Sequence, residues 1–250
     1  MPESPENMSK MIRPHRSLAL FTIAIFATAV LAACGKREAG DSAPAPAPAP
    51  AAQQEPSPPE LTAEQAARLV RPHSPIVGPP NAPVTLVEFL DPACEGCRAF
   101  APIVKQILFM HPEDVRLVVR FAAFHQGSDE AIRIIEAARQ QGKFEEVLSA
   151  LFDHQEEWAS HHAPDIEAAW KIAAGAGIDV QRARRDARSK AADELLRIDE
   201  EDINALQVAR TPTFFVNGRQ PAVFGPRPLM ELIAAEIEKA KAAPAAAASN

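Results

Sequence analysis

The sequence predicts an α/β fold, in which helices flank a mixed central sheet and a helical insertion separates the two halves of that sheet. Three observations predict it: an early strand, helix, strand unit, a long run of helical pattern, and a late hairpin followed by an amphipathic helix. The early unit builds parallel sheet through a right-handed crossover, and the hairpin adds antiparallel strands. The segments are residues 84–90, 98–110 and 115–121, then 128–206, then 213–216, 221–224 and 229–241.

Residues 1–33 have the pattern of an export signal. Basic residues precede an apolar segment at 18–33, which is shorter than the roughly 20 residues that cross a bilayer comfortably. The segment ends in Leu-Ala-Ala-Cys, which resembles a bacterial lipobox. This resemblance implies cleavage before Cys34 and a lipid on its sulfur, and a second acyl chain would make the anchoring stable. An uncleaved anchor and a plain signal peptide with a chance cysteine are the alternatives.

Residues 34–60 combine the predicted lipidated cysteine with an Ala/Pro-rich linker. Alternating Ala-Pro cannot form a helix or a packed core, so it predicts an extended spacer that holds the next domain off the membrane. A proline-rich recognition ligand is the alternative. Gly35, in place of an aspartate after Cys34, resembles lipoproteins sorted to the outer membrane. We therefore expect the chain on the periplasmic side of a bacterial membrane, the outer membrane before the inner.

Residues 61–241 form the predicted domain, and 242–250 a disordered tail. The domain begins with a helix at 61–70, in which Thr62 and Gln65 have capping-box spacing, and a short strand at 74–77. The net charge of −7 argues against a nucleic-acid partner.

The chain has three cysteines, too few for a scaffold of several disulfides. If Cys34 is lipidated, only Cys94 and Cys97 remain as thiols. A bridge across two residues closes a very small loop and constrains little unfolded-chain entropy, so the pair is predicted to be catalytic rather than structural. Pro92 ends the preceding strand, and Cys94 lies where the next helix starts. Free N–H groups and the helix dipole favour a thiolate there.

These segments resemble the thioredoxin superfamily, and within it the DsbA-like thiol–disulfide oxidoreductases. The matching residues are 83–89 leading into Asp-Pro-Ala-Cys-Glu-Gly-Cys, and Arg-Thr-Pro-Thr-Phe-Phe-Val-Asn-Gly at 210–218. The resemblance covers roughly residues 74–239 and implies a thioredoxin fold with a helical insertion. It implies that Cys94 is the nucleophile and Cys97 the resolving thiol. It also implies that Pro212 is cis against the cysteine pair and that Thr211 binds an extended substrate chain.

Glu95 and Gly96 occupy the positions that tune the dithiol, where the family's namesake carries Pro-His. A negative charge at Glu95 disfavours the thiolate and raises the pKa of Cys94. We therefore expect a weaker oxidant, with a reduction potential more negative than the roughly −120 mV of DsbA itself. The alternative is that Glu95 points to solvent and matters little.

Glu88 lies six residues before Cys94, inside an otherwise apolar strand. Burial of this carboxyl would raise its pKa. The resemblance implies that Glu88 assists proton transfer to and from Cys97; an edge position or a neighbouring cation is the alternative. Asp91 is expected to shape the turn, and His125 to cap the next helix rather than to lie near the active face.

The predicted function is a membrane-anchored extracytoplasmic thiol–disulfide oxidoreductase, an oxidase first, acting through the Cys-Glu-Gly-Cys dithiol. Its predicted partners are cysteine-containing extracytoplasmic proteins and a membrane redox partner that recycles it. No organic cofactor and no metal are expected. The alternatives are a disulfide reductase, an isomerase, or a thioredoxin-fold protein that binds copper or another metal. Two thiolates make only half of a tetrahedral zinc shell, which His161 and His162 could complete only if the fold brought them close.

Overall fold

The computed structural model describes residues 60–160 and 162–242. The predicted export signal, Cys34, the linker to residue 59, His161 and residues 243–250 of the predicted tail lie outside these ranges. Within them, no helix has both the length and the apolar character needed to cross a bilayer.

A four-stranded mixed sheet forms the centre of the described chain. Its strands are β1 (Ile76–Val77), β2 (Val84–Leu90), β3 (Val115–Phe121) and β4 (Thr213–Val216), in the order β1-β3-β2-β4. β2 and β3 are parallel, as the strand, helix, strand pattern predicts, and β1 and β4 pair antiparallel at the two edges. The central strands therefore end side by side, where the cysteine pair begins.

Helices cover the sheet and fill the long connection between β3 and β4. In chain order they are α1 (Ala63–Arg68), α2 (Glu95–Met110), α3 (Ser128–Arg139), α4 (Phe144–Asp153), α5 (Gln155–Trp158), α6 (Ile166–Gly175), α7 (Val180–Asp186), α8 (Lys190–Ala205) and α9 (Pro226–Ala242). The predicted capping box of Thr62 and Gln65 starts α1. Helices α3 to α8 form the helical insertion, and α2 begins at Glu95 rather than at residue 98.

The two faces of the sheet have separate apolar cores. Val84, Leu86 and Leu90 of β2 pack with the cores of α2, α9 and the insertion, while Val87 and Phe89 pack with the end of α8. Because side chains alternate along a strand, Glu88 shares the first face with Leu86 and Leu90. This is the face that carries Cys97.

A buried charge cluster lies on the second face. Arg120 of β3 is fully buried, and its guanidinium donates to Asp199 at 2.6 Å and to Asp202 at 2.7 Å, both on α8. Asp202 also binds Arg71 at 2.6 Å and Arg68 at 3.0 Å. The cluster thus joins the sheet, the last helix of the insertion, the end of α1 and the segment that follows it.

The predicted strand at 221–224 is wrong. Asn217 and Gly218 have positive φ of 47° and 83°, as a two-residue hairpin turn requires, and Val216 exchanges both backbone hydrogen bonds with Arg219. The next bonded pair would set Pro221 opposite Phe214. Proline has no N–H to donate, so the ladder stops after one bridge.

Candidate active site

The cysteine pair lies at the start of α2. Cys94 is the N-cap residue, with extended backbone, and Cys97 lies one turn into the helix. Cys97 is completely buried, while Cys94 is 8% exposed, which is less than its position before the helix predicts. Both thiols are free in this structure. Cys94 is therefore the more accessible sulfur of the two.

The environment of Cys94 favours its thiolate. A hydrogen bond from the Cys97 thiol is the largest influence, and it outweighs the opposing effect of burial. Further hydrogen bonds from the Thr211 side chain and from the backbone N–H groups of Cys97 and Gly96 act in the same direction, and together they lower the pKa of Cys94 to about 5. A sulfur at this position is ionised at neutral pH, as a nucleophile in exchange must be.

Cys97 has the opposite environment. Burial, its hydrogen bond to Cys94 and the charge of Glu88 all raise the pKa of this thiol, in that order of size. The backbone N–H of Asp91 donates to Cys97 Sγ at 3.4 Å and opposes them only weakly. Cys97 therefore stays protonated until a base takes its proton.

The Thr211–Pro212 segment forms a wall over Cys94. The peptide bond between these residues is cis, as the resemblance implied. The carbonyl oxygen of Thr211 lies 3.3 Å from Cys94 Sγ and accepts its proton when this thiol is neutral. A Cβ atom at Gly96 would lie 3.2 Å from Pro212 Cδ and 3.4 Å from Cys94 Sγ, so the absence of a side chain at Gly96 lets this wall approach the sulfur.

Glu95 does not dominate the pKa of Cys94. Its side chain is exposed, at the first position of α2. The net shift of the pKa of Cys94 is downward, because hydrogen bonds that only the folded chain provides favour the thiolate. The effect of the Glu95 charge on Cys94 stays a prediction, and that charge is also one of the influences on His125.

Asp91 organises the turn before the cysteines, as expected. Its fully buried carboxylate accepts from the backbone N–H groups of Ala93, Phe124 and His125, at 2.8, 2.8 and 2.9 Å, and from the Ser128 hydroxyl. The carboxylate thereby joins the turn before Cys94, the loop after β3 and the start of α3.

His125 lies near the active face, and the expectation that it caps a helix is wrong. Its Nδ1 atom is 2.8 Å from Asp91 Oδ2. Burial opposes protonation, but the hydrogen bond and charge of Asp91, and the charges of Cys94 and Glu95, raise the pKa of His125. The only signal in the sequence was its place after a central strand.

Glu88 lies between the two sheet neighbours of β2, not at an edge. It pairs in register with Val119 of β3 and Phe214 of β4 and is 5% exposed. No cation or hydrogen-bond donor among the described residues binds its carboxyl. Burial, followed by the charge of Cys94, raises its pKa to about 8. The carboxyl borders a cavity of about 300 Å³ between the sheet, α2 and α4, with largely apolar walls.

We expect Glu88→Gln to slow the resolving step at neutral pH by roughly a hundredfold, a usual size for a positioned general base. The amide cannot take the proton of Cys97, so the rise in rate near pH 8 is lost as well. The measurement is stopped-flow release of a fluorescent peptide from a preformed mixed disulfide across pH. Glu136→Gln is the control, because Glu136 is also buried with a raised pKa but pairs with Arg139. An unchanged profile in Glu88→Gln contradicts the role.

One contact at this site could not be predicted from the sequence. Gln155, at the start of α5, donates from Nε2 to the carbonyl oxygens of Pro92 and Cys94.

Across residues 60–160 and 162–242, no group of three His, Cys, Asp or Glu side chains is placed to hold a metal ion.

The site combines a dithiol at a helix start, one low-pKa thiol and a cis-proline segment at the end of parallel strands. This combination defines the class of thioredoxin-fold thiol–disulfide oxidoreductases. The comparison with known families agrees. The family model described as Thioredoxin matches residues 71–233, and the chain belongs to this family. Its helical insertion between β3 and β4 gives it the DsbA-like architecture.

Solved structures and a curated protein share this region. A thioredoxin-like oxidoreductase from Silicibacter pomeroyi DSS-3 is 27% identical, with a TM-score of 0.58 over 72% of this chain and 98% of that chain. Wolbachia pipientis alpha-DsbA1 is 17% identical, with a TM-score of 0.63 over 71% and 98%. The Na(+)/H(+) antiporter NhaA 1 of Mycolicibacterium gilvum (strain PYR-GCK) is 33% identical over 172 residues, 66% of this chain and 27% of that protein. The chain spans about a quarter of the length of such curated relatives.

Proposed function

We propose that this protein is an extracytoplasmic protein disulfide oxidase that uses the Cys94–Cys97 pair. The observation that carries the proposal is the contrast between a nucleophilic Cys94 with a pKa of about 5 and a buried, protonated Cys97 beneath it. A low-pKa thiol is a good leaving group and stabilises the reduced form of the pair, and both properties favour oxidation of substrates.

In the proposed reaction, a substrate thiolate attacks Cys94 Sγ of the disulfide form, and Cys97 leaves with two electrons and takes up a proton through Glu88. A second substrate thiolate then attacks the substrate sulfur of the mixed disulfide. Cys94 leaves as a thiolate, and the substrate keeps the new disulfide. The electrons of the reduced pair pass to a membrane redox partner. Thr211, beside Cys94 Sγ, binds the substrate backbone.

The pKa of Cys94 also supports an intermediate potential. It lies between the values of about 3.5 for DsbA and about 7 for thioredoxin, whose potentials are near −120 and −270 mV. We therefore propose a potential between these two, more negative than that of DsbA, for a different reason than the charge of Glu95.

The proposed location is the periplasmic side of a bacterial membrane, with the outer membrane preferred. It depends on the export signal and on lipid at Cys34, and the linker at 34–60 would supply the distance from the bilayer. Mass spectrometry of the mature N-terminus tests it, and an unmodified residue other than Cys34 at that end contradicts the anchor.

Trapping with Cys97→Ala tests the function. Without the resolving thiol, Cys94 is expected to hold extracytoplasmic proteins in mixed disulfides that survive until a reductant is added. Cys94→Ala, which leaves only the buried thiol, is the control and should trap none. Equal trapping by the two variants would contradict the assignment of the nucleophile.

Equilibration of the wild-type pair with glutathione decides the direction. A potential near −270 mV or below would favour a reductase over the proposed oxidase. Stoichiometric copper or zinc on the reduced protein would instead favour the metal-binding alternative.

A further inference from the structure

A buried amide of the helical insertion contacts the backbone of the cysteine turn. Gln155 is 2% exposed, and its Nε2 donates to the carbonyl oxygen of Pro92 at 2.8 Å and to that of Cys94 at 3.1 Å. These two carbonyls flank the turn that presents the Cys94 sulfur. The Cys94 carbonyl is also the first acceptor of α2, because it accepts from the backbone N–H of Arg98 at 3.1 Å.

The other end of α5 is fixed within the insertion. Trp158 is fully buried, and its indole N–H donates to the carbonyl oxygen of Leu151 on α4 at 2.9 Å. At the surface, Arg98 of α2 pairs with Glu156 of α5 at 3.0 Å. The short helix α5 is therefore held on both sides, and the amide of Gln155 has little freedom to leave the two carbonyls.

The oxygen of the Gln155 amide indicates which part of this side chain matters for the site. Gln155 Oε1 is buried and has no hydrogen-bond partner among the described residues. The amide cannot be turned over, because both contacts are with carbonyl oxygens, which require a donor. An unpaired buried acceptor lowers stability, and an apolar side chain of equal size would avoid this cost because it has no acceptor atom. The contribution of Gln155 to the site therefore comes from its two N–H donors.

We propose that Gln155 is a positioning residue for disulfide exchange: its amide holds the cysteine turn in the geometry that favours the Cys94 thiolate. The carbonyl oxygens of Pro92 and Cys94 carry partial negative charge in the turn that holds the sulfur, and the two N–H groups offset it. The same bonds keep Cys94 Sγ over the N–H groups of Gly96 and Cys97. The inference rests on the proposed function, since it assumes that this pair is the redox centre.

Gln155→Met removes the donors at nearly constant volume and without adding charge. The ionisable groups that face Cys94 are Cys97, Glu95, Glu88 and His125, so the titration follows the thiolate absorbance at 240 nm, which reports the sulfur directly. We expect the midpoint of Cys94 to rise by about one unit. The equilibrium constant with glutathione should then shift about tenfold toward the disulfide form, which corresponds to about 30 mV.

Gln141→Met is the matched control. Gln141 lies in the same insertion, and its amide exchanges two hydrogen bonds with the backbone of Asp179, at 2.7 and 3.1 Å, on the exposed surface. Its loss should leave both the midpoint and the glutathione equilibrium unchanged. If the role of Gln155 were purely structural, Gln155→Met would lower the stability measured in urea but would leave the Cys94 midpoint and the glutathione equilibrium unchanged.

A folded Gln155→Met protein with the wild-type midpoint overturns the inference. If that variant has no native circular dichroism, the same titration on Gln155→Leu decides, since leucine is smaller, carries no charge and cannot donate. These readouts do not involve a protein substrate. A shifted midpoint together with failure of Cys97→Ala to trap substrates would therefore keep the positioning role and refute the oxidase proposal.

Discussion

Asp202→Ala is expected to lower the free energy of unfolding by about 3–5 kcal/mol, the usual result of removing one partner from a buried ion pair. Asp202 is fully buried and binds three arginines. Arg120 has no access to solvent and would keep only Asp199 as its anionic partner. Urea unfolding followed by circular dichroism measures the loss. The change should leave the dithiol titration nearly as it is, because the cluster lies on the other face of the sheet.

Glu201→Ala is the control for Asp202→Ala. Glu201 is the preceding residue, and its ion pair with Arg197 lies on the surface of α8. Exposed pairs contribute about 0–1 kcal/mol, so the control should lose far less stability. Equal losses in the two variants would contradict the importance of burial.

The loss of stability in acid is a second measure of the contribution of Asp202. Burial would raise the pKa of Asp202, but hydrogen bonds from three arginines overcome it and lower the pKa to about 2. In the unfolded chain this carboxyl titrates near 3.9. The stabilisation is therefore complete above about pH 4 and is lost as the pH falls toward 2. The wild-type protein should lose this stability in acid, and Asp202→Ala should lack that part of the acid dependence.

Asp91→Ala is the second change with a large expected effect. It leaves the backbone N–H groups of Ala93, Phe124 and His125 without their acceptor. The first is buried and the other two are partly buried, and a fully buried donor without an acceptor costs about 1–3 kcal/mol. We expect a loss of about 3 kcal/mol in the free energy of unfolding. The pKa of His125 should also fall, because Asp91 supplies the hydrogen bond that raises it. Urea unfolding and NMR titration of His125 measure the two effects.

Asp165→Ala separates this effect from the loss of an ordinary helix cap. Asp165 accepts a single backbone hydrogen bond, from Ala168 at 2.9 Å, at the start of α6. Removal of such a cap costs about 1 kcal/mol. If Asp91→Ala costs no more than Asp165→Ala, or leaves the pKa of His125 in place, the joining role of Asp91 is wrong.

The central strands and the cysteine pair were predictable because their signals are local. β2 and β3 have the predicted bounds, since apolar β-branched runs encode a buried parallel strand directly. The hairpin prediction failed because it used the Asn217-Gly218 turn and neglected the missing N–H of Pro221.

The electrostatics of the site could not be predicted in the same way. Glu95 is adjacent to Cys94 in sequence, but the hydrogen bonds that set the pKa of Cys94 come largely from side chains and N–H groups placed by the fold. Gln155 meets the cysteine turn across 61 residues of chain, and Arg120 meets Asp199 across 79. Pairings of this kind leave no periodic trace in the sequence, so they become visible only in the folded chain.

The close approach of Pro212 to Gly96 has a consequence for redox engineering. A side chain at Gly96 would contact both Cys94 Sγ and Pro212 Cδ, so a substitution there alters the surroundings of the sulfur and displaces the Thr211–Pro212 wall in one step. If that wall binds substrate as proposed, the redox potential and substrate binding change together at position 96. Glu95 is exposed and its charge acts on His125, so a substitution there changes the electrostatics of the site. A library designed to retune this pair as an oxidant or a reductant would therefore change charge at Glu95 and steric contact at Gly96.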